Sequence, residues 1–262
     1  MKEKSISFIV ICFKNPAELD KTLQSLMSFK DYIRHIEIIV IDGSPSEVCS
    51  SIADKHSDMI DKYLNEKDKG KFDAMNKGLK LASSDYICFL NSGDIYANLI
   101  KPKDLLGIVT NNEDILYFDT LLSFKKISKL KKAPSIDSIG VSQRGAVLPV
   151  HQSILYPKKI IKSKTFNSKF HFSADTELNL EIFRYHKAKY IPLIFSQFSL
   201  GGASTYKKNF NDIFRHSLEH ALVINMKPTT ASKFIIKEII KFILIKIVGY
   251  QTYANFTIRR QA

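Results

Sequence analysis

Residues 66–94 read EKDKGKFDAMNKGLKLASSDYICFLNSGD, and this stretch decides the fold. Apolar side chains recur at three- and four-residue spacing over residues 71–82, which predicts a helix. The apolar run at residues 86–90 is typical of a buried strand. A helix that leads directly into such a strand is the unit from which α/β proteins with a parallel sheet are built.

The same alternation of strand and helix fills the chain before this stretch. Pro16 suits the first turn of a helix, with Asn15 as its cap. Strands are predicted at 6–12, 36–41 and 63–64, and helices at 16–29 and 46–56. The expected fold class is therefore α/β, with a mostly parallel central sheet flanked by helices.

The second half has a less regular pattern. Strands are predicted at 115–118, 152–156 and 189–198, and a helix at 174–185. Five lysines within residues 125–132 predict an exposed loop or strand edge. Residues 201–204, Gly-Gly-Ala-Ser, fit a closing loop or a plain turn.

Composition restricts the class of protein. The 262 residues are 45% hydrophobic, enough for one sizeable core, and the net charge of +13 attracts anionic ligands or surfaces. Three cysteines, an odd number, predict reduced thiols and a cytoplasmic protein. The short apolar run near the N-terminus predicts a first strand and not a signal peptide.

Parallel sheets bind ligands at the carboxyl ends of their strands, here the turns after residues 12, 41 and 90. Asp42, in VIDGSPSE, can accept hydrogen bonds from a ligand or simply form the turn. Lys69 and Lys71 flank a glycine at a helix start, where a diphosphate could bind, although a solvated loop explains them as well. Asp94 can ligate Mg²⁺ or Mn²⁺ together with substrate phosphates, or cap the next turn.

Together these segments resemble the family 2 glycosyltransferases of bacterial surface-polysaccharide synthesis. The resemblance is carried by SFIVICFKNPAELDKTLQSL, VIDGS and the quoted stretch, and more loosely by HQSILY and FSADTELNLEIF. It implies a GT-A fold and an enzyme that transfers a sugar from a nucleotide diphosphate sugar, by default a UDP sugar, with inversion of the anomeric centre. The implied acceptor is a saccharide on a polyprenyl diphosphate lipid, in O-antigen, capsule or exopolysaccharide synthesis.

The resemblance also assigns roles to individual residues. Asp94 would hold the divalent metal, Mn²⁺ or Mg²⁺, whereas Asn91 and Gly93 stand where related proteins often have Asp. Asp175 would be the general base, with Glu177 as the reserve candidate. The residues implied to bind the nucleotide sugar are Cys12, Phe13, Asp42, Lys69, Lys71, Asp73, Asn91, His151 and Gln152.

We expect residues 1–205 to form the glycosyltransferase domain, with a nucleotide-binding half at 1–100 and an acceptor-binding half at 101–205. A helical segment at 206–262 would follow. Within it, residues 233–248 combine isoleucines and phenylalanines with lysines spaced four apart, a pattern that fits a helix lying on an anionic membrane surface or a core helix with a solvated edge. The first alternative predicts a peripheral protein on the inner face of the cell membrane.

Three other classes of protein remain possible on the sequence alone. A nucleotidyltransferase would need a glycine-rich basic loop after the first strand, and Cys12–Pro16 is not such a loop. A basic module that binds nucleic acid or membrane fits the net charge, but no nucleic-acid-binding motif is recognisable, so nucleic acid is not an expected partner. An inactive relative that retains the nucleotide site fits the single carboxylate of Asn-Ser-Gly-Asp.

Overall fold

A computed structural model of the chain describes residues 3–32, 34–45, 47–124, 127–142, 145–200, 209–249 and 252. The strands are β1 Ile6–Cys12, β2 Ile36–Asp42, β3 Lys62–Asn65, β4 Tyr86–Asn91, β5 Ile95–Tyr96, β6 Ile115–Phe124, β7 Ile127–Lys131, β8 Gly140–Ser142, β9 Gly145–Val147, β10 Ile154–Pro157 and β11 Ala188–Ser199. The helices are α1 Pro16–Leu26, α2 Ser50–Lys55, α3 Lys71–Leu81, α4 Pro102–Thr110, α5 Lys158–Ile161, α6 Ala174–Tyr185, α7 Phe210–Val223 and α8 Pro228–Val248.

Nine strands of the described residues form one sheet in the order β3-β2-β1-β4-β10-β6-β11-β5, with β7 paired to β6. β1, β2, β3 and β4 pair in parallel, and β6 and β11 form a further parallel pair. Because β10 is antiparallel to both β4 and β6, these six strands all run in one direction. The prediction of a mostly parallel sheet is therefore confirmed.

Helices cover both faces of the sheet, as the continuous apolar strands require. Alternate residues of β1 enter different core layers. Phe8 and Val10 pack with apolar residues of α1 and α4, whereas Ile9 packs with those of α3 and α6. Gly78 lets α3 approach closely, because a Cβ atom there would lie 2.3 Å from Cγ2 of Ile9. This close approach fixes α3 against β1 of the sheet.

Glu37 ties three strands together at the amino ends of the parallel strands. Its carboxylate accepts hydrogen bonds from Lys62 Nζ at 2.6 Å, from Ser83 N and Oγ at 2.8 Å, and from the Ser7 hydroxyl. These residues belong to β2, β3, β1 and the turn between α3 and β4. The group is a structural support at the end of the sheet opposite the candidate site.

Several elements differ in extent from the sequence predictions. The chain turns at residues 47–49 before α2, so this helix is shorter than predicted. The predicted strand at 152–156 begins only at Ile154, because residues 151–153 form a 3-10 turn. Asn15 precedes α1, but its side chain makes no capping hydrogen bond. The strand edge predicted at 125–132 corresponds to β7, whereas the predicted loop at 201–204 lies outside the described residues.

α7 and α8 follow the sheet and contact each other, with the His220 and Phe234 rings stacked 5.4 Å apart. None of the α8 residues is buried, although isoleucine is the commonest residue in this helix. Ile236, Ile240 and Ile243 are at least half exposed. No helix in the described ranges combines the length and apolar character needed to cross a bilayer.

Candidate functional site

The candidate site lies along the carboxyl ends of the parallel strands. Cys12 pairs with Asp42 across β1 and β2, and Asp42 pairs with Asn65 across β2 and β3. On the other side of β1, Ile11 pairs with Asn91 of β4. Neighbouring strands are about 4.8 Å apart, so these polar residues form a row along one edge of the sheet.

Asp42 ends β2 and is fully buried. Its Oδ1 accepts a hydrogen bond from Ser44 N at 2.9 Å, and its Oδ2 accepts one from the Tyr63 hydroxyl at 3.0 Å. Burial and this hydrogen bond raise the pKa of Tyr63 well above its usual value, so the hydroxyl remains a donor. Asp42 therefore forms the turn expected of it and also presents a carboxylate with two fixed donors.

Cys12 and Cys49 lie beside Asp42, with the three ligand atoms within 4.8 Å of one another. Both thiols are free and buried. Burial, and secondarily the charge on Asp42, raises the pKa of Cys12 far above the usual thiol value. Metal ligation requires a thiolate, so we interpret this thiol as a packing group, in agreement with the reduced cysteines that the sequence predicts.

The loop before α3 folds back over the end of β2. The Asp68 carboxylate lies against Gly43, where an added Cβ atom would come within 1.7 Å of Oδ2, and its Oδ1 accepts from Gly70 N at 2.9 Å. Gly70 has a φ of 118°, which few other residues adopt. Asp73 accepts from Lys69 N at 3.0 Å and so fixes the start of the helix. The loop and the first turn of α3 thus hold two charged side chains, Lys69 and Asp73, at the same edge of the sheet.

Asp94 follows β4 and is only 4% exposed. Its Oδ2 accepts hydrogen bonds from Asn91 N at 3.2 Å, Asn91 Nδ2 at 2.8 Å and Gln152 Nε2 at 2.8 Å. Burial raises the pKa of Asp94 to about 6, and the amide donors lower it only in part. A divalent cation would supply the positive charge that these neutral donors lack, so the residue fits the metal role predicted for it.

His151 and Gln152 lie just before β10. Because β10 is antiparallel to β4, it begins at the edge where β4 ends, which places both residues at the site. The Tyr156 hydroxyl donates to Asn179 Oδ1 at 2.6 Å, so its oxygen accepts from Nδ1 of His151 at 3.0 Å. Nε2 then carries a lone pair, and it has no hydrogen-bond partner among the described residues. Burial lowers the pKa of His151 to about 4, so the ring is neutral at physiological pH.

Asp175 is the second residue of α6, and its Oδ1 accepts a hydrogen bond from Thr176 N at 2.9 Å. The N-cap position belongs to Ser173, so Asp175 is not the cap of this helix. Burial is the largest effect on the pKa of His151 and lowers it. The Asp175 carboxylate raises the same pKa, and the Lys71 ammonium lowers it. Glu177 lies two residues further on, about half a helical turn from Asp175, where Asn167 Nδ2 approaches it at 3.4 Å and burial raises its pKa.

The structure brings most of the predicted residues to one region. Asn91, Asp94 and Gln152 form one hydrogen-bonded group, and Cys12 and Asp42 form a second group. Phe13 is more than half exposed at the end of β1, where a flat ring could stack on a ligand.

Sequence analysis did not identify Tyr63 or Asn65 because an isolated Tyr and Asn on a weak strand carry no recognisable signal. It also did not identify the contact between Glu219 of α7 and the loop before α6.

The sequence model of Glycosyl transferase family 2 matches residues 7–176, and the chain belongs to this family. The poly-beta-1,6-N-acetyl-D-glucosamine synthase of Staphylococcus epidermidis is 29% identical over 149 residues, which are 53% of this chain and 35% of the relative. The enzyme of the same name from Staphylococcus aureus strain COL is 29% identical over 150 residues, with the same coverage. The chain thus spans about a third of the length of these relatives.

Solved structures of glycosyltransferases share the fold. S. aureus TarS 1-349 in complex with UDP-GlcNAc superimposes with a TM-score of 0.61 at 14% identity, covering 90% of this chain and 71% of the other. The mannosyltransferase PcManGT from Pyrobaculum calidifontis, in complex with GDP-Man and Mn²⁺, gives a TM-score of 0.59 at 12% identity, covering 91% and 70%. The GT-A fold expected from the sequence is confirmed.

Proposed function

We propose that this glycosyltransferase transfers a sugar from a UDP sugar to a saccharide hydroxyl with inversion of the anomeric centre. The observation that carries the proposal is the position of the dipeptide His151-Gln152. Gln152 donates to the carboxylate of Asp94, and His151 lies close enough to Asp175 and Lys71 for both charges to act on its pKa. The dipeptide therefore connects the proposed metal ligand with the proposed base.

The donor would extend along the row of strand ends. Phe13 and Asp42 would contact the base and ribose, with Cys12 and Asp73 on the nucleoside side. Lys69 and Lys71 stand at the N-terminus of α3, where backbone N–H groups and the helix dipole also favour an anion. Asn91 and Gln152 would orient the Asp94 carboxylate, with the neutral ring of His151 beside them on the acceptor or phosphate side.

Proton transfer is assigned to Asp175. Its carboxylate would take the proton of the acceptor hydroxyl as that oxygen attacks the anomeric carbon from the face opposite the diphosphate. The C–O bond to the diphosphate breaks and the nucleoside diphosphate leaves, so the configuration inverts. General base catalysis of this kind contributes roughly 10² to 10⁴ in rate.

Asp94 would hold Mn²⁺ or Mg²⁺. When bound, such a cation neutralises charge on the departing diphosphate. The chain contributes the buried carboxylate, the amides of Asn91 and Gln152 that orient it, and the lysines of the α3 start. The mannosyltransferase structure with GDP-Man and Mn²⁺ supports a metal in proteins of this fold.

The test is transfer from a panel of UDP, GDP and dTDP sugars, with Mn²⁺ or EDTA and a lipid extract as acceptor. The parent protein should release one nucleotide in a metal-dependent manner. Asp175→Asn should bind that nucleotide normally and lose transfer by about 10²- to 10⁴-fold. Glu181→Gln, a matched carboxylate change on the exposed part of α6, should transfer at the parent rate.

Two outcomes would contradict the assignment. Full activity of Asp175→Asn together with loss of activity in Glu177→Gln would make Glu177 the base. Failure of the parent protein to use any donor, although UDP stabilises it, would favour an inactive relative that retains the nucleotide site.

The proposed acceptor is a saccharide on a polyprenyl diphosphate lipid at the inner face of the cell membrane. α8 supports this proposal because it has no buried residue, and its exposed Ile236, Ile240 and Ile243 lie on one face. Lys233 and Lys237 flank that face, where they could meet anionic headgroups. On α7, exposed Phe210, Phe214, Leu218 and Leu222 recur every four residues and extend the apolar surface of the helix pair.

Cosedimentation with vesicles of phosphatidylglycerol and phosphatidylcholine tests membrane binding. The parent protein should bind, and more weakly at high salt. Ile240→Asp should lower binding at every salt concentration, whereas Lys233→Gln should lower it mainly at low salt. Lys21→Gln removes an equal charge from an exposed position of α1 and should change binding little. Equal binding by Ile240→Asp and the parent protein would refute the proposal for α8.

A further inference from the structure

Glu219 of α7 is a buried carboxylate that lies far along the chain from the residues matched by the family model. It is only 6% exposed. A buried charge is tolerated only where it is paired and hydrogen-bonded. Its partners therefore indicate what this residue does.

Three of those partners are consecutive backbone N–H groups. Oε1 of Glu219 accepts from His171 N at 3.0 Å, and Oε2 accepts from Phe172 N at 2.8 Å and Ser173 N at 3.3 Å. Residues 171–173 lead directly into α6, whose first two residues are Ala174 and Asp175. The side chain of Ser173 makes no capping bond, so Glu219 supplies an acceptor at this helix start that the local sequence does not supply.

Arg215 completes the group. Its Nε donates to Oε1 of Glu219 at 3.2 Å, and its NH2 group contacts Nδ1 of His171 at 2.7 Å. Hydrogen bonds to an ionised carboxylate are roughly twice as strong as those between neutral groups. A negative charge beside the N-terminus of α6 is also favoured by the helix dipole. The contacts of α7 therefore hold the backbone immediately before Asp175 in one position.

We propose that Glu219 is a positioning residue for the transfer reaction, which fixes the backbone at 171–173 and thereby the placement of Asp175 towards the acceptor. This inference rests on the function proposed above. It makes α7 part of the acceptor side of the active site and not only a connection to α8. Because α7 also carries an exposed apolar stripe, the same helix would connect the membrane-facing surface with the base.

Glu219→Gln tests the proposal because it keeps the size of the side chain but removes the charge and turns one acceptor oxygen into a donor. An ångström of misplacement at a reacting group can lower a rate about 10²-fold, so we expect kcat for transfer to fall by about 10- to 100-fold. The KM for the donor should stay at the parent value, because the contacts of Glu219 among the described residues are with 171–173 and Arg215 and not with the strand ends that would bind the nucleotide. Glu219→Asp, which retains the charge on a shorter side chain, should recover part of kcat.

Hydrogen exchange supplies a readout independent of turnover. In Glu219→Gln the amides of 171–173 should exchange at least about tenfold faster, whereas those of α3 should keep the parent rates. Glu181→Gln, a carboxylate change within α6, should change neither kcat nor the exchange rates at 171–173. If Glu219→Gln does not fold, Arg215→Gln removes a half-exposed donor to the same carboxylate. It should also lower kcat at unchanged donor KM and speed exchange at 171–173, with smaller changes than those expected for Glu219→Gln.

The outcomes separate this inference from the proposed function. A parent protein that transfers sugar, and a Glu219→Gln protein with unchanged kcat or unchanged exchange at 171–173, would overturn the positioning role alone. A rise in donor KM equal to the fall in kcat would also overturn it, because that pattern reports a general loss of structure. Absence of transfer in the parent protein would instead refute the proposed function.

Discussion

Asp94→Asn should make the metal-free protein more stable while it removes the metal-dependent function. The folded chain holds this carboxylate buried, and the burial raises its pKa from 3.8 to about 6. At about 1.36 kcal/mol per pKa unit, the difference corresponds to about 3 kcal/mol of lost stability at neutral pH. An Asn side chain avoids that cost, and its amide oxygen can take the place of Oδ2 with its three donors, but its NH2 group would then face the backbone N–H of Ser199, at about 1 kcal/mol. We therefore expect a net gain of about 2 kcal/mol.

The sign of the pH dependence provides the sharper test. Between pH 3.8 and about 6 the folded parent protein binds more protons at Asp94 than the unfolded chain does. Stability of the parent protein therefore falls as pH rises through this window. Asn does not titrate, so the advantage of the variant should be about 2 kcal/mol at about pH 7.5 and close to zero at about pH 4.5.

Urea unfolding in EDTA at the two pH values measures this difference. Mn²⁺ with UDP should then stabilise the parent protein, by about 2.7 kcal/mol at 100 times the dissociation constant, and should not stabilise the variant. Asp54→Asn, an exposed carboxylate of α2, should change stability by less than about 0.5 kcal/mol. A variant less stable than the parent protein at neutral pH, or equally stabilised by Mn²⁺, would refute the role given to this carboxylate.

Four further substitutions test the fold and the proposed nucleotide site. Gly78→Ala should destabilise by about 1–3 kcal/mol in urea unfolding because its Cβ atom would meet Ile9, whereas Gly107→Ala, with nothing within 4 Å, should stabilise by about 0.5–1 kcal/mol. Burial alone would raise the pKa of Glu37, but its lysine and serine donors lower it to about 2. Glu37→Gln should therefore cost about 2–3 kcal/mol at neutral pH, a difference that disappears as pH falls from 4.5 to about 2. Tyr63→Phe should weaken UDP binding about tenfold in calorimetry, since Asp42 loses a fixed donor; unchanged affinity would exclude that role.

Local sequence patterns were sufficient to predict most strands and helices of residues 1–100. β1, α3 and β4 lie where apolar periodicity predicts them, because each element repeats one pattern over several residues. Asp42 and Asp94 could be proposed as site residues because each lies where an apolar strand ends or in the turn after it. The hydrogen bonds from Tyr63 to Asp42 and from Gln152 to Asp94 could not be predicted, since these residues meet only through the pairing of strands distant in sequence.

Glu219 shows a different limit of sequence analysis. Arg215 and Glu219 are four residues apart on a helix, a pattern typical of a solvent-exposed ion pair. Here the carboxylate is buried against a loop nearly fifty residues away in sequence. Nothing in the local pattern distinguishes the two cases, because burial depends on which face of α7 meets the rest of the protein.

The direction of β10 determines how the two substrates are separated along the chain. Strands β1, β2 and β4 end at the site, whereas β10 starts there, and the segment after β7, described at residues 132–142 and 145–150, lies outside the nine-stranded sheet before the chain reaches this edge. In the proposed function, the length or sequence of this segment could change while the strands that carry Cys12, Asp42 and Asn91 keep their pairing with one another. An enzyme that works as proposed would then acquire a new acceptor through mutations in this segment while the strand ends that bind the donor stay as they are.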